Sequence, residues 1–314
     1  MAVTIRGRTL PLPILQGGMG VGISLERLAG AVAACGGMGT LSTAVCGFQE
    51  PDFAQHPFEA NLRALDRQVR RAKELAHGAG LVAVNAMVAT TQYADSVRTA
   101  LRAGADAIVC GAGLPRDLPA LAEEVPESDA ALAPIVSSGR AAGLICKLWD
   151  RHYGRIPDFV VLEGPEAGGH LGFSRQELDQ PPALSALLRD VLAALSPFRD
   201  KAGRDIPVFV AGGVKNGADM ARYMKAGAAG AQFATRFIAT VECDASDGYK
   251  QRLLNASPGD ITLVKSPVGM PGRALRSPLI RRVEDGTQPP PDRCMKCITT
   301  CDGKNAPYCI SRAL

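Results

Sequence analysis

The sequence lacks long hydrophobic runs and has few aromatic residues. Its 314 residues contain no run of about 18 apolar residues, so we expect no membrane-spanning helix and no membrane partner. Aromatic side chains make up 5% of the chain, and its net charge of +4 comes without a dense Lys/Arg run, which argues against nucleic acid. The amino terminus has no hydrophobic signal segment. We therefore expect a cytoplasmic protein, in which disulfides are uncommon.

What the chain has in abundance is small apolar residues arranged in repeating strand–helix units. It is 46% hydrophobic, with 34 glycines and 22 prolines. Eight short apolar runs alternate with helical segments, at residues 13–16, 39–42, 81–85, 107–110, 133–137, 159–162, 206–210 and 230–234. This predicts an α/β protein, a (β/α)8 TIM barrel over residues 1–285, followed by a small cysteine-rich extension over residues 286–314. A doubly wound open sheet is the competing fold, but no Gly-x-Gly-x-x-Gly motif opens a helix as its dinucleotide-binding form requires.

Glycines and polar residues follow several of these strands. In a barrel the carboxyl ends of the strands share one rim, so Gly17, Gly18, Asn85 and His170 are expected to converge there. The loop from Glu163 to Gly172 brings two carboxylates, adjacent glycines and a histidine that can move protons near neutral pH. The plainer interpretation is a glycine-rich turn with a solvated histidine.

The last two predicted strands indicate a phosphate site. Gly212 and Gly213 precede a helix that is expected to begin near Asn216. Ala234 ends the eighth predicted strand, and Thr235 follows it. Loops after strands seven and eight of barrels commonly bind phosphate at a helix amino terminus. Close packing of helix on sheet through glycine is the alternative.

Together these segments resemble the nitronate monooxygenase family, which includes the FMN-dependent enoyl-acyl-carrier-protein reductases. The resemblance rests on residues 14–19, 84–85, 163–172, 211–214 and 235–237 and extends over roughly residues 1–280. It implies an FMN-containing TIM barrel. The positions matching the family's FMN contacts are Gly17, Gly18, Asn85, Glu163, Gly168, Gly169, Gly212, Gly213, Ala234 and Thr235. His170 matches the histidine beside the flavin, which is the proposed base in the nitronate enzymes and orients flavin and substrate in the reductases. Ala234 departs from the glycine that is usual there.

The carboxyl-terminal extension carries a second motif. Four of the nine cysteines, Cys294, Cys297, Cys301 and Cys309, fall in the last 21 residues with the spacing Cys-x2-Cys-x3-Cys-x7-Cys, after the proline-rich linker at residues 289–291. Four thiolates at short spacing can bind one metal centre. The spacing of the first three cysteines also resembles that in flavoenzymes related to the bacterial 2,4-dienoyl-CoA reductases, which carry a 4Fe–4S cluster. Zinc and two disulfides are the alternatives.

These features lead to one hypothesis and two alternatives. The chain is predicted to be an FMN-dependent oxidoreductase in which His170 is the acid/base and the tail cysteines hold a 4Fe–4S cluster that relays electrons to FMN. The alternatives are a nitronate monooxygenase that uses O2 and has a zinc tail, and a non-catalytic FMN-binding sensor. Expected partners are a small-molecule or thioester substrate, an electron-donor protein or NAD(P)H, and a second copy in a homodimer.

Four local expectations complete the sequence prediction. Ser24 is expected to cap the first helix, and residues 147–153 are expected to form an exposed helix end that includes the sole tryptophan. Cys35, Cys110 and Cys146 are interpreted as small core residues. Cys46, in the loop after the second strand, could face the site.

Overall fold

The molecule is built on eight parallel strands, whose side chains point alternately to the two faces of the sheet. The computed structural model describes residues 2–289, 291, 293–306 and 308–312. Pro290 of the predicted linker lies outside the described residues, as do Asp292, Pro307, Ala313 and Leu314 of the predicted extension. The strands are β1 (Val3–Ile5), β2 (Arg8–Leu10), β3 (Ile14–Gln16), β4 (Met38–Ser42), β5 (Leu81–Met87), β6 (Ala107–Gly111), β7 (Ala131–Val136), β8 (Val160–Glu163), β9 (Gly169–His170), β10 (Val208–Ala211), β11 (Gly230–Phe233), β12 (Ile261–Lys265) and β13 (Pro271–Leu275).

The predicted (β/α)8 barrel is confirmed. Strands β3 to β8 pair in chain order, β8 pairs with β10, β10 with β11, and β11 returns to β3, all in parallel. The helices are α1 (Glu26–Ala34), α2 (Pro57–Ala76), α3 (Tyr93–Arg102), α4 (Leu118–Glu123), α5 (Gly139–Tyr153), α6 (Arg175–Asp179), α7 (Leu184–Ala202), α8 (Gly217–Lys225), α9 (Thr235–Ile238), α10 (Asp247–Leu254) and α11 (Pro278–Glu284), with 3₁₀ turns at Pro258–Asp260 and Ile310–Arg312. In the described part of the chain, no helix has the length and apolar character that a bilayer crossing requires.

Two apolar layers stabilise the barrel. Alternate strand residues fill its interior, where the Phe159 and Phe209 rings meet edge to face at 5.8 Å, and Ile5 and Leu10 of the β1–β2 hairpin join the same cluster. The residues between them in each strand face outward and pack against the helices. The inner layer ends near the carboxyl ends of the strands, where polar residues begin.

An additional sheet lies beyond the barrel strands. β12 and β13 form an antiparallel hairpin, and β13 also pairs with β9, which aligns Gly272 with His170. The sequence analysis found no motif in this hairpin. It nevertheless holds the loop that contains His170.

Two local expectations were wrong, since Ser24 does not cap α1 and Trp149 is not exposed. The predicted helix end is confirmed, because α5 ends at Tyr153 with Lys147, Arg151 and His152 exposed. The hydroxyl of Ser24 bonds to the backbone of Met19, and the amino terminus of α1 is capped instead by the Asp244 carboxylate, which accepts from the amides of Leu25 at 2.8 Å and Leu28 at 3.1 Å. Trp149 is fully buried in α5, where its indole N–H donates to the Pro115 carbonyl, so its polar atom is satisfied inside the core.

The cysteines outside the extension also differ in part from expectation. Cys110 and Cys146 are buried as predicted, but Cys35, at the end of α1, is exposed. Cys46 is buried in the layer between strands and helices, and burial raises the pKa of its thiol to about 12. A thiol that is buried and protonated in this layer cannot serve as a nucleophile at the rim.

Candidate active site

Two polar side chains lie inside the carboxyl end of the barrel. Asn85 follows the inward-facing Ala83 by two residues, and Glu163 follows the inward-facing Val161 by two residues. Strand alternation therefore points both side chains into the barrel mouth. The placement of Asn85 agrees with the predicted rim, whereas Glu163 was predicted only as an FMN contact.

The loop after β3 touches the end of β5. A Cβ placed on Gly18 would lie 2.4 Å from the Cβ of Asn85, and the Gly17 amide donates to the Phe233 carbonyl of β11 at 2.8 Å. The ends of β3, β5 and β11 consequently meet around Gly17 and Gly18, whose backbone carries no side chain. Such bare backbone can approach a flat ligand closely.

The loops after β8 and β10 also meet. Gly212 and Gly213 have φ values of +76° and +99°, a region that favours glycine, and a Cβ on Gly212 would lie 2.8 Å from the Ala167 amide nitrogen. The predicted helix start is confirmed, since α8 begins at Gly217 and the Asn216 side chain caps it at 2.9 Å. Ala234 precedes α9, and Thr235 opens that helix with its side chain exposed.

The loop that leads to His170 has one open face. Gly168 and Gly169 are exposed, and a Cβ on either would meet nothing within 4 Å. His170 follows in β9, half-buried, and burial lowers the pKa of its imidazole below 6.5. The imidazole is therefore neutral at physiological pH, as a proton acceptor must be.

The pKa of Glu163 shifts in the opposite direction to that of His170, because burial disfavours the charged form of each side chain. Burial raises the pKa of its carboxyl from 4.5 to about 8. The carboxyl is consequently protonated at neutral pH and can donate a hydrogen bond into the barrel mouth.

Sequence reasoning missed two residues that hold the His170 loop, and both lie on or beside the β12–β13 hairpin. The Ser266 hydroxyl is 2.7 Å from His170 Nε2. The Arg273 guanidinium donates to the carbonyls of Pro165 at 2.5 Å and Ala167 at 2.8 Å. The short apolar alternation in residues 261–265, followed by Gly269, was the available signal for a hairpin.

The four tail cysteines lie around one small cavity. Cys294, Cys297, Cys301 and Cys309 all line one cavity of about 20 Å³, and the neighbouring thiols contribute to raising the pKa values of Cys297 and Cys301, for which burial is the main cause. The Lys296 amide donates to Cys294 Sγ at 3.3 Å, and Lys296 adopts a φ of +52°. Over the described residues, however, no group of three or more His, Cys, Asp or Glu side chains is arranged to hold a metal ion as it stands.

The family model for nitronate monooxygenase matches residues 8–301, which is most of the chain. The chain belongs to the nitronate monooxygenase family. This match confirms the family that the sequence motifs predicted.

Individual relatives share less than a third of their aligned residues with this chain. A dehydrogenase of an octahydro-indene-carboxyl-CoA from Mycobacterium tuberculosis is 29% identical over 276 residues, covering 88% of this chain and 66% of the relative. A probable nitronate monooxygenase of Staphylococcus saprophyticus is 24% identical, covering 89% and 80%. FabK from Thermotoga maritima shares the fold with a TM-score of 0.66 and 26% identity, covering 88% and 75%. The chain thus spans just under two thirds of the dehydrogenase's length.

Proposed function

We propose that the chain is an FMN-dependent oxidoreductase in which His170 is the acid/base. The observation that carries this proposal is a neutral, half-buried imidazole held at 2.7 Å by Ser266 in the loop after β8, beside a barrel mouth lined with bare backbone. A base needs both a fixed position and an unprotonated nitrogen. Donation from Nε2–H to Ser266 Oγ would leave Nδ1 free to accept a proton.

The glycines of the rim fit a flat, phosphate-bearing cofactor. Side chains at Gly18 and Gly212 would collide with neighbouring atoms, and those at Gly168 and Gly169 would fill open space, so these positions favour close approach to backbone. Gly213 and Thr235 would hold the phosphate, and Gly17, Asn85, Glu163 and Ala234 complete the proposed FMN contacts. When bound, FMN supplies the electron and hydride chemistry.

The protein's own residues would prepare that chemistry. Protonated Glu163 can donate a hydrogen bond to an acceptor inside the barrel, and the Asn85 amide can both donate and accept. Arg273 binds the Pro165 and Ala167 carbonyls of the loop that precedes Gly168, and thereby helps to fix the position of His170. A substrate carbon placed beside Nδ1 would lose or gain its proton there.

We further propose that Cys294, Cys297, Cys301 and Cys309 hold a 4Fe–4S cluster that passes electrons to FMN. The Lys296 amide bond to Cys294 Sγ supports a thiolate at that position, since amide donors stabilise charged sulfur. The four thiols must rearrange to hold a cluster, because their cavity of about 20 Å³ has room for roughly one water. A single zinc ion would require less movement and is the alternative.

The relatives support two candidate substrate classes. The Mycobacterium tuberculosis relative is named for a CoA-linked carboxyl compound, which supports a thioester substrate. In the proposed reductase, NAD(P)H or a carrier protein would supply the electrons. The family description and the Staphylococcus saprophyticus relative support oxidation of a nitronate with O2 as the second candidate. Homodimer formation also remains a proposal.

His170→Ala tests the proposed role of the histidine. Turnover should fall about 100-fold in whichever assay the wild type supports, anaerobic reduction of an enoyl-CoA or O2 uptake with an alkyl nitronate, because an acid/base contributes that much. Bound FMN should stay within about twofold of wild type, as it should in His152→Ala, a control at an exposed position of α5. Unchanged turnover in His170→Ala would remove the histidine from the mechanism. Wild type with FMN but no turnover would favour the sensor.

A further inference from the structure

The segment at residues 296–300, here called the strap, is bonded to the loop after β5. The Thr91 amide donates to the Cys297 carbonyl at 3.0 Å, and the Thr299 amide donates to the Ala89 carbonyl at 2.9 Å. These bonds flank an antiparallel bridge between Thr90 and the buried Ile298. The strap is therefore anchored to the loop that continues the strand of Asn85.

The other end of the strap contacts the turn between β12 and β13. The Thr300 hydroxyl donates to the Val268 carbonyl at 3.3 Å, and the Val268 amide donates to Ser266 Oγ at 3.2 Å. Ser266 Oγ in turn lies 2.7 Å from His170 Nε2. Three consecutive contacts thus connect the tail with the proposed base.

The cysteines enclose this strap. Cys294 precedes it, Cys297 lies within it and Cys301 follows it directly, while Cys309 lines the same cavity. A centre bound by these thiols would fix the backbone on both sides of Thr300. Its loss would free the strap at both contacts, the loop after β5 and the β12–β13 turn.

We infer that Thr300 is a positioning residue, through which the four-cysteine tail holds Val268 and Ser266 in place against His170. The inference rests on the proposed role of His170 and deepens it, because it makes the tail part of the active site. In this role Thr300 acts on His170 through the Val268 turn. The buried side chain of Val268, 7% exposed, makes the turn a compact link between strap and histidine.

Thr300→Val tests the inference, because it removes the hydroxyl and keeps the shape of the side chain. The matched control is Thr299→Val, which removes a hydroxyl bonded to the Ala89 carbonyl at 3.1 Å and keeps the backbone bond to the same loop. Amide hydrogen exchange at Val268 and the NMR titration of His170 are measured on full-length protein without substrate. Neither readout depends on turnover.

In Thr300→Val, Val268 exchange should accelerate about tenfold, the equivalent of one lost hydrogen bond, and the His170 titration should move. Thr299→Val should leave both within about twofold. Unchanged Val268 exchange in Thr300→Val would overturn the inference, as would faster exchange with an unmoved His170 titration. If His170→Ala kept full turnover while these shifts occurred, the proposed base would fail and the structural link would stand.

A second variant tests the part played by the cysteines. Cys301→Ser should accelerate Val268 exchange in the same direction as Thr300→Val, whereas Cys35→Ser, at an exposed cysteine outside the tail, should not. Equal exchange in both cysteine variants would contradict any link between the thiols and the strap.

Discussion

The imidazole Nε2 of His170 lies 2.7 Å from the hydroxyl of Ser266, a residue 96 positions further along the chain. Two antiparallel pairings bring them together, since β9 pairs with β13 and β13 pairs with β12, at whose end Ser266 lies. The proposed base is therefore oriented by a hairpin outside the eight-stranded barrel. The loop after β8 and the β12–β13 hairpin thus form one site.

Ser266→Ala should lower turnover about tenfold, because the imidazole loses one oriented hydrogen bond. FMN content should be unchanged, since Ser266 is not among the proposed flavin contacts. Steady-state kinetics and absorbance of the purified variant measure the two effects. Ser96→Ala, which alters another buried serine in α3, should leave turnover within about twofold. Equal turnover in the two variants would show that the hydroxyl does not orient His170.

Gly18→Ala should disturb the barrel mouth, because its Cβ would lie 2.4 Å from the Asn85 Cβ. We expect a loss of about 1–3 kcal/mol in the free energy of unfolding, as for an overpacked site, together with weaker FMN binding. Urea unfolding and flavin titration measure these quantities. Gly248→Ala in α10 is the control, since its Cβ would meet nothing within 4 Å. Matching FMN affinities in the two variants would argue against a cofactor beside Gly18.

Glu163→Gln should change how stability depends on pH in the FMN-free protein. Burial raises the carboxyl pKa from 4.5 to about 8, so the folded state binds a proton that the unfolded state has released between these values. This contribution to stability is full below pH 4.5 and is lost as the pH rises through 8. Gln cannot titrate, so the fall in Tm from pH 5 to 8 should be shallower.

Glu166→Gln, at an exposed position in the same loop, is the control for that titration. Its Tm should follow the wild-type pH profile. A Glu163→Gln profile that coincides with wild type would mean that the carboxyl is solvated in solution.

The barrel could be predicted because its signals are local. Each strand is a short apolar run bounded by turn residues, and inward-facing Asn85 and Glu163 stand at strand ends where the rim could be anticipated. The β12–β13 hairpin could not be predicted as part of the site, because its pairing with β9 joins segments about 100 residues apart in sequence. Nothing near His170 in sequence indicates Ser266.

Tertiary contacts also account for the wrong local predictions. The Asp244 carboxylate caps α1 from more than 200 residues away, so the local Ser24 was not needed as a cap. The polar residues around Trp149 correctly indicated an exposed helix end, and α5 ends at Tyr153. The helix nevertheless turns the indole into the core, where the Pro115 carbonyl accepts its N–H. The division at residues 285 and 286 and the residue-by-residue FMN contacts remain predictions.

The most direct test of the account is an absorption spectrum with iron, sulfide and zinc analysis on anaerobically purified protein. The spectrum should show the two visible bands of an oxidised flavin, overlaid by a broad cluster absorbance, with about four iron atoms per chain. Flavin with zinc or without metal would contradict the electron relay and favour the oxygen-using alternative. A protein that binds no flavin would contradict the central claim itself.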